Sequence, residues 1–143
     1  STSRGLGDVY KRQVLGAEGV QIGTRFALTE ESSASPVFKD YCLSLGEGDT
    51  KLLLKKLAPT RLVKNAFREA VEKAEDSGAS AEDLRTLLGR GRAKKGIFEG
   101  DLEEGELEIG QVSAIISRRQ SVAEVMDELV AAYQRAAKKD YLF

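Results

Sequence analysis

The residues best suited to chemistry in this sequence are Gly23 and Thr24, which follow the short apolar run Val20-Gln21-Ile22. Glycine lets an anion approach the backbone closely, and the amides that follow it can donate hydrogen bonds together with the threonine hydroxyl. The pair therefore indicates a phosphate-binding turn. For the dipeptide taken alone, an ordinary connection from a strand to a loop is the more frequent structure.

Histidine and cysteine, which carry much of the acid–base and metal chemistry of proteins, are nearly missing. The 143 residues include no histidine and one cysteine, Cys42. Histidine catalysis, cysteine-cluster metal sites and an intrachain disulfide are therefore excluded for this chain. Cys42 lies among apolar residues at helical spacing, which predicts a buried structural thiol. A lone cysteine also suits a reducing compartment, and we expect a cytoplasmic protein.

Three polar residues have both a structural and a functional interpretation. Arg61 and Asn65 are predicted to lie on one helix face, where we favour local capping or packing over a position at a domain boundary near a cofactor. Gln111 begins another predicted helix and could face a cofactor cleft. A glutamine at a helix start more often satisfies nearby backbone groups, so the structural interpretation is favoured there as well.

Two charged runs also need an interpretation. The basic run contains Arg90, Arg92, Lys94 and Lys95. We favour a solvated face for it over a contact with an acidic carrier protein or a dinucleotide phosphate. The acidic run contains Glu103, Glu104, Glu106 and Glu108. Since no histidine or cysteine accompanies these glutamates, we expect exposed side chains and no metal site.

The bulk composition is typical of a soluble globular domain, with 41% hydrophobic and 31% charged residues. The formal net charge of -1 produces no chain-wide field toward nucleic acid or an anionic membrane, and we expect neither as a partner. No run approaches the roughly 20 apolar residues that a membrane-spanning helix needs.

Local signals predict that helices make up most of the chain. A serine followed by proline starts one helix at Ser35, and capping boxes start two others at Ser80 and Ser121. The helix that begins at Ser80 is predicted to stop at Gly89. Further helices are predicted from residue 60 to a stop at residue 78, and from residue 111 to residue 117. The last helix is expected to turn its apolar residues inward, namely Val122, Val125, Met126, Leu129, Val130 and Tyr133.

The β content is expected to be small. Val20-Gln21-Ile22 is predicted to form a strand, and a strand needs neighbours that pair with its backbone. The weak β-like stretch at residues 106–109 is not a convincing neighbour. The strand therefore suggests that part of a larger sheet lies outside this chain.

The first 13 residues indicate an artificial origin. From Ser3 through Gln13 they match the translation of a transposase adapter used to prepare DNA sequencing libraries. We therefore expect residues 1–13 to be an adapter-derived, non-native segment and exclude them from the fold. Together with the unpartnered strand, this predicts that the chain is a fragment of a longer protein.

Several separated motifs resemble, in the same order, those of one enzyme family. Residues 16–26, GAEGVQIGTRF, continuing into residues 29–32, resemble the last barrel strand of the FMN-dependent nitronate monooxygenases and the related flavin-dependent enoyl-acyl carrier protein reductases. Residues 61–65 resemble a segment of the family's second domain. Residues 99–101 and 110–113 resemble its return toward the barrel, so the resemblance extends over most of the chain, from Val14 to Lys138.

The resemblance implies a fold of the α/β class, an FMN-binding (β/α)8 TIM barrel, of which this chain is the mostly α-helical C-terminal part with one or two short strands. Residues 14–34 would hold the last barrel strand and the phosphate-binding loop. Residues 35–110 would form a helical substrate domain, and residues 111–143 the C-terminal barrel-closing helices. The resemblance assigns no catalytic residue to this chain, and it assigns three residues to the FMN phosphate, namely Gln21, Gly23 and Thr24.

Two activities remain open under this resemblance. A nitronate monooxygenase would oxidise alkyl nitronates with O2. An enoyl-acyl carrier protein reductase of fatty acid synthesis would use FMN and NAD(P)H to reduce an enoyl thioester, with acyl carrier protein as a partner. The intact enzyme could form a homodimer in either case. We expect the chain alone to be inactive, and a helical interaction module is the non-enzyme alternative.

Overall fold

The computed structural model of the chain describes residues 13–138. Most of the segment 1–13 expected to be non-native, and residues 139–143 at the other end, lie outside the described residues. In chain order the described elements are α1 (Thr24–Ala27), α2 (Pro36–Leu43), β1 (Thr50–Leu53), β2 (Thr60–Val63), α3 (Ala66–Asp76), α4 (Ala81–Leu88), a π-helix (Lys94–Phe98), a 3-10 helix (Gln111–Ile115) and α5 (Val122–Ala137). Within residues 13–138, no helix has both the length and the apolar character needed to cross a membrane.

The predicted capping signals begin three of these helices. The Ser35 hydroxyl accepts a hydrogen bond from the amide of Phe38 at 3.1 Å, and a proline occupies the first position of α2. Capping boxes begin α4 at Ser80 and α5 at Ser121. Gly89 follows α4 with a φ of 65°, a conformation that favours glycine. These predictions are confirmed because each depends on residues within one turn of the helix end.

The single helix predicted for residues 60–78 is wrong, because its first residues form a strand. β1 and β2 pair antiparallel, with Thr50 opposite Val63. Leu62 and Val63 are both 0% exposed. Pairing with β1 and complete burial favour the extended conformation for these apolar residues, which outweighs their local helix tendency. As a result, α3 begins only after β2 has ended.

Two hydrophobic clusters hold the described residues together. The hairpin cluster lies under β1, β2, α3 and α4 and contains Leu53, Leu54, Leu62, Phe67, Val71 and Leu84. The α2 cluster contains Leu28, Ala34, Phe38, Cys42, Leu45, Val63, Leu107, Ile109 and Ile116. Cys42 is 0% exposed, which confirms the predicted buried thiol, and burial raises its pKa to about 12.

The run Val20-Gln21-Ile22 forms no strand within the part of the chain that the structure describes. A strand is stable only when its amides and carbonyls pair with a neighbouring strand. Among residues 13–138, the only sheet pairs β1 with β2, and it does not include these residues. The loop expected after Gly23 is also not observed, because α1 begins directly at Thr24.

The weak β-like stretch at residues 106–109 does associate with the hairpin. The Val63 amide donates to the Leu107 carbonyl at 2.8 Å, and Leu62 forms an isolated β-bridge with Glu108. Leu107 is 1% exposed and Ile109 is 8% exposed. This returning segment is therefore fixed on the edge of β2 before the chain enters the 3-10 helix.

The last helix differs from its prediction in what it buries. Val125 is 1% exposed, but Val122, Met126 and Val130 are 36%, 46% and 48% exposed. These three residues lie on one face of α5, and no described element covers them. The preceding apolar helix predicted for residues 111–117 is shorter than expected and has 3-10 geometry.

Candidate functional site

Gly23 lies at the entrance to α1 and leaves open space in front of the backbone. It is exposed, and a Cβ placed on it would meet nothing within 4 Å. Its φ of -104° is available to any residue, so the missing side chain rather than the backbone conformation distinguishes this position. The amides of Phe26 and Ala27 donate to the Gly23 carbonyl, but those of Thr24 and Arg25 have no acceptor among residues 13–138. The turn can therefore offer donors to a ligand.

The Thr24 hydroxyl is fixed by a residue that is distant in sequence. The Gly110 amide donates to Thr24 Oγ1 at 3.0 Å, across a separation of 86 residues. Gly110 directly precedes the 3-10 helix, and this helix packs against α1. The structure thus brings the predicted turn and the segment of Gln111 together, as a site at this position requires.

The two other predicted residues near the turn are less constrained. Gln21 and Gln111 are both exposed. Gln21 lies two residues before Gly23, and Gln111 follows the glycine that contacts Thr24. Both residues are therefore on the segments that form the turn, and their contact with a cofactor stays a prediction.

A partly buried polar network attaches α1 to the rest of the chain. The Arg25 guanidinium donates to Gln120 Oε1, and it also contacts Glu128 Oε2 at 3.2 Å. Gln120 is 2% exposed, and its Nε2 donates to Glu128 Oε1 at 2.6 Å. The hydrogen bond from Gln120, followed by the charges of Arg25 and Arg118, lowers the pKa of Glu128. The network joins α1 to α5, and no local sequence pattern predicted it because Arg25 is 95 residues from Gln120 and 103 residues from Glu128.

The loop after α1 is held by a buried lysine. Lys39 is 3% exposed, and its Nζ donates to the carbonyls of Glu30 and Ser32 at 3.1 Å and 2.6 Å. Burial, followed by the charge of Arg119, lowers the pKa of Lys39. The loop is therefore attached to α2, and α1 is supported on both sides.

Arg61 and Asn65 do not lie on one helix face, because Arg61 is in β2 and Asn65 is the N-cap of α3. Arg61 Nη1 contacts Thr50 Oγ1 at 3.3 Å across the hairpin. Asn65 Oδ1 accepts from the Arg68 amide at 2.9 Å, while its Nδ2 donates to the Gly105 carbonyl at 2.8 Å. Both residues make local structural contacts, and a position near a cofactor stays a prediction.

The basic run is a solvated face except at Arg92. Its guanidinium lies 4.5 Å from the Phe67 ring centroid, and it donates to the carbonyls of Leu88 and Glu104 at 2.8 Å and 2.7 Å. Arg90, Lys94 and Lys95 are exposed, as predicted. The prediction is wrong for Arg92 because folding places three separate segments around its side chain.

The acidic run is exposed except at Glu106, where the prediction is wrong. Glu106 is 8% exposed, whereas Glu103, Glu104 and Glu108 are exposed. Burial, followed by repulsion from Glu108, raises the pKa of Glu106 to about 7, against a smaller opposing effect of Arg92. Glu106 lies between the buried residues Gly105 and Leu107, and its amide donates to the Arg92 carbonyl at 3.1 Å.

Comparison with known sequences identifies relatives for most of the chain. The family described as nitronate monooxygenase matches residues 7–132. A protein of Bacillus subtilis (strain 168) named "Probable nitronate monooxygenase" is 32% identical over 116 residues, which make up 80% of this chain and 33% of that protein. The chain therefore spans about a third of the length of this curated relative.

Two solved structures share the fold of the described residues. FabK from Thermotoga maritima superposes with a TM-score of 0.74 at 29% identity, over 88% of this chain and 40% of FabK. The nitroalkane oxidase from Streptomyces ansochromogenes gives a TM-score of 0.70 at 25% identity, over 92% of this chain and 37% of that chain. The fold of most of this chain thus occurs within larger proteins.

Proposed function

The chain belongs to the nitronate monooxygenase family, as its motifs predicted, and from this membership we propose that it forms part of an FMN-dependent oxidoreductase. The proposal includes a TIM barrel in which residues 14–34 supply the last strand and the phosphate loop. It is supported by the similarity in fold to FabK, of which the chain spans 40%. It is also supported by the uncovered apolar face of α5, which a larger barrel would bury.

The observation that best supports this proposal is the turn at Gly23 and Thr24. An exposed glycine with open space in front of it precedes a threonine whose hydroxyl is held by Gly110. A phosphate needs close approach to the backbone and several convergent donors, and this turn can supply both. We assign the cofactor phosphate to Gly23 and Thr24, with Gln21 as a supporting residue on the same segment.

The residues of this chain would bind and orient the cofactor rather than carry out proton transfer. Bound FMN supplies the two-electron redox chemistry of such enzymes. The network of Arg25, Gln120 and Glu128 keeps α1, and with it the phosphate turn, at a fixed position relative to α5. A fixed phosphate anchor limits the positions that the rest of the cofactor can occupy.

For the reaction we propose the oxidation of alkyl nitronates with O2. The support for this choice is the Bacillus subtilis relative, which is named as a nitronate monooxygenase and is 32% identical. The second candidate is the NAD(P)H-dependent reduction of enoyl thioesters carried by acyl carrier protein. This alternative is supported by the resemblance of the motifs to the flavin-dependent enoyl-acyl carrier protein reductases and by the similarity in fold to FabK.

Oxygen uptake and NADH oxidation separate the two reactions. The native protein, meaning the intact enzyme of which this chain forms part, would be assayed for oxygen uptake with alkyl nitronates and for NADH oxidation with enoyl thioesters. We expect oxygen uptake that depends on added FMN and no oxidation of NADH by the thioester. Turnover in the second assay alone would favour the reductase, and turnover in neither would contradict an oxidoreductase of this family.

The phosphate assignment is tested with variants of Thr24. Replacing Thr24 by valine removes the hydroxyl at similar volume, and we expect FMN binding to weaken about 10-fold or more. Thr24→Ser keeps a hydroxyl and serves as the matched control, with affinity close to that of the native protein. Fluorescence titration of FMN measures both, and an unchanged affinity in Thr24→Val would contradict the assignment.

A further inference from the structure

The returning segment holds Gly110 at a defined place. Leu107 and Ile109, in the segment just before Gly110, are buried. The Leu107 carbonyl accepts a hydrogen bond from the Val63 amide of β2. On its other side, Gly110 begins the 3-10 helix that packs against α1. Elements on both sides of Gly110 therefore hold its backbone amide within hydrogen-bond distance of Thr24 Oγ1.

Gly110 is required by contact and not by backbone conformation. Its φ of -68° and ψ of 150° are available to every residue. A Cβ at this position would nevertheless overlap Thr24 Oγ1, while Thr24 Cβ and Val112 Cγ1 would be at ordinary contact distances of 3.6 Å and 3.8 Å. A side chain at residue 110 would thus displace the Thr24 hydroxyl and little else.

The bond from Gly110 decides what the Thr24 hydroxyl can do. A hydroxyl carries one proton and two acceptor lone pairs, and the Gly110 amide occupies an acceptor position. Among residues 13–138, the hydroxyl proton of Thr24 has no acceptor. The hydroxyl is therefore left with a proton to donate, and the open space at the neighbouring Gly23 is where an anionic oxygen can approach.

We infer that Gly110 is a positioning residue for the cofactor site, since it fixes Thr24 as a hydrogen-bond donor to the phosphate of FMN. The inference rests on the proposed function, because it requires that the phosphate binds at Gly23 and Thr24. It adds that the segment returning from the helical domain, and not the turn alone, determines the affinity for the phosphate group.

A comparison of FMN with riboflavin isolates this effect, because riboflavin has the same ring system and no phosphate. In the native protein we expect FMN to bind more tightly. Gly110→Ala should weaken FMN binding by about 10- to 100-fold, as the loss of a hydrogen bond to a charged group does, and should leave the affinity for riboflavin nearly unchanged. Thr24→Ala should have the same effect.

The double variant provides the decisive measurement. Once Thr24 is alanine, the atom that overlaps a Cβ at residue 110 is gone, and the remaining neighbours are 3.6 Å or more away. Gly110→Ala should then weaken FMN binding no further, so the two substitutions should be non-additive. Additive losses would overturn the inference, because they would mean that Gly110 acts independently of Thr24.

A second glycine serves as the structural control. Gly100 has a φ of 80°, which is strained for alanine, and a Cβ there would lie 3.3 Å from Ser35 Oγ, so neither Thr24 nor the returning segment is involved. Gly100→Ala should lower the melting temperature while preserving the ratio of the riboflavin and FMN dissociation constants. A ratio that changes as much in Gly100→Ala as in Gly110→Ala would overturn the inference, since the effect would then be general destabilisation.

Amide exchange tests the contact without any cofactor. In the chain itself, hydrogen exchange at the Gly110 amide should accelerate in Thr24→Val, which lacks the acceptor, and stay slow in Thr24→Ser. Equal exchange in both variants would overturn the inference. Failure of the proposed function would look different: the native protein would bind riboflavin as tightly as FMN, or would bind neither.

Discussion

The hairpin cluster and the region around α1 and α5 are stabilised in different ways. Six apolar residues of the hairpin cluster are almost completely removed from solvent by β1, β2, α3 and α4. In contrast, α5 buries Val125 but leaves Val122, Met126 and Val130 partly exposed, and polar contacts attach it to α1. The hairpin region is stabilised by its own apolar core, whereas α5 is attached to α1 through directed hydrogen bonds.

The residues that should control stability and those that should control ligand binding lie in different parts of this chain. Residues whose truncation should unfold the protein lie in the hairpin cluster, away from Gly23 and Thr24. The residues that should alter ligand binding are Gly23, Thr24 and Gly110, and they belong to neither hydrophobic cluster. Substitutions in the two regions should therefore have separable effects, and the following predictions test this from the largest to the smallest.

The largest effect is expected in the hairpin cluster. Leu84 is 0% exposed, so Leu84→Ala removes buried methyl groups and leaves a cavity. We expect a loss of about 3 kcal/mol in the free energy of unfolding. Urea denaturation followed by circular dichroism measures it. A loss below about 1 kcal/mol would show that the cluster can collapse around the change and is less tightly packed than the structure indicates.

Glu106 should make the stability of the folded chain depend on pH. Its folded pKa of about 7 lies above the value for an exposed glutamate, so between pH 4.5 and 7 the unfolded chain loses the proton while the folded chain keeps it. Stability should therefore fall as pH rises through this window, by on the order of 3 kcal/mol, and level off above it.

Glu106→Gln isolates this contribution because glutamine does not titrate. Subtracting the stability profile of the variant from that of the native chain cancels the other carboxyl groups, including Glu72, whose pKa is lowered first by its bond to Lys51. The difference should decline between pH 4.5 and 7. A flat difference would indicate that Glu106 is solvated, and Glu108→Gln at the exposed neighbour should change the profile less.

Arg92 should show an intermediate effect. Arg92→Lys keeps the charge but cannot reproduce the bonds to the Leu88 and Glu104 carbonyls or the stacking on Phe67. We expect a loss of about 1–2 kcal/mol in unfolding free energy. Arg90→Lys, at an exposed neighbour, is the matched control and should be neutral. Equal effects for both would mean that Arg92 acts only through its charge.

The smallest effect is expected on the uncovered face of α5. Met126 is 46% exposed, and Met126→Ser should change the unfolding free energy of this chain by less than about 0.5 kcal/mol. The neighbouring Val125, at 1% exposure, gives the contrast, since Val125→Ala should cost about 2 kcal/mol. A large loss in Met126→Ser would mean that this face is covered in solution, which would remove the contrast between the two regions.

Much of what the sequence predicted correctly depends on short-range geometry. The caps at Ser35, Ser80 and Ser121 were recognisable because a capping side chain bonds an amide within the next three residues. The stop at Gly89 was recognisable because few other residues adopt its backbone conformation. The phosphate-binding role of Gly23 and Thr24 stays a prediction, and its donors could be named from the sequence because they are consecutive in the chain.

The tertiary structure decided the features that join distant residues. Thr60–Val63 became a strand because β1 offers a partner, and Glu106 became buried because its segment returns to the edge of β2. The bond between Gly110 and Thr24 joins residues 86 positions apart, and the contact of Arg25 with Gln120 joins residues 95 apart. Local propensities carry no information on such pairings. The sequence by itself thus determined the donors of the candidate site, and only the folded chain determined how they are held.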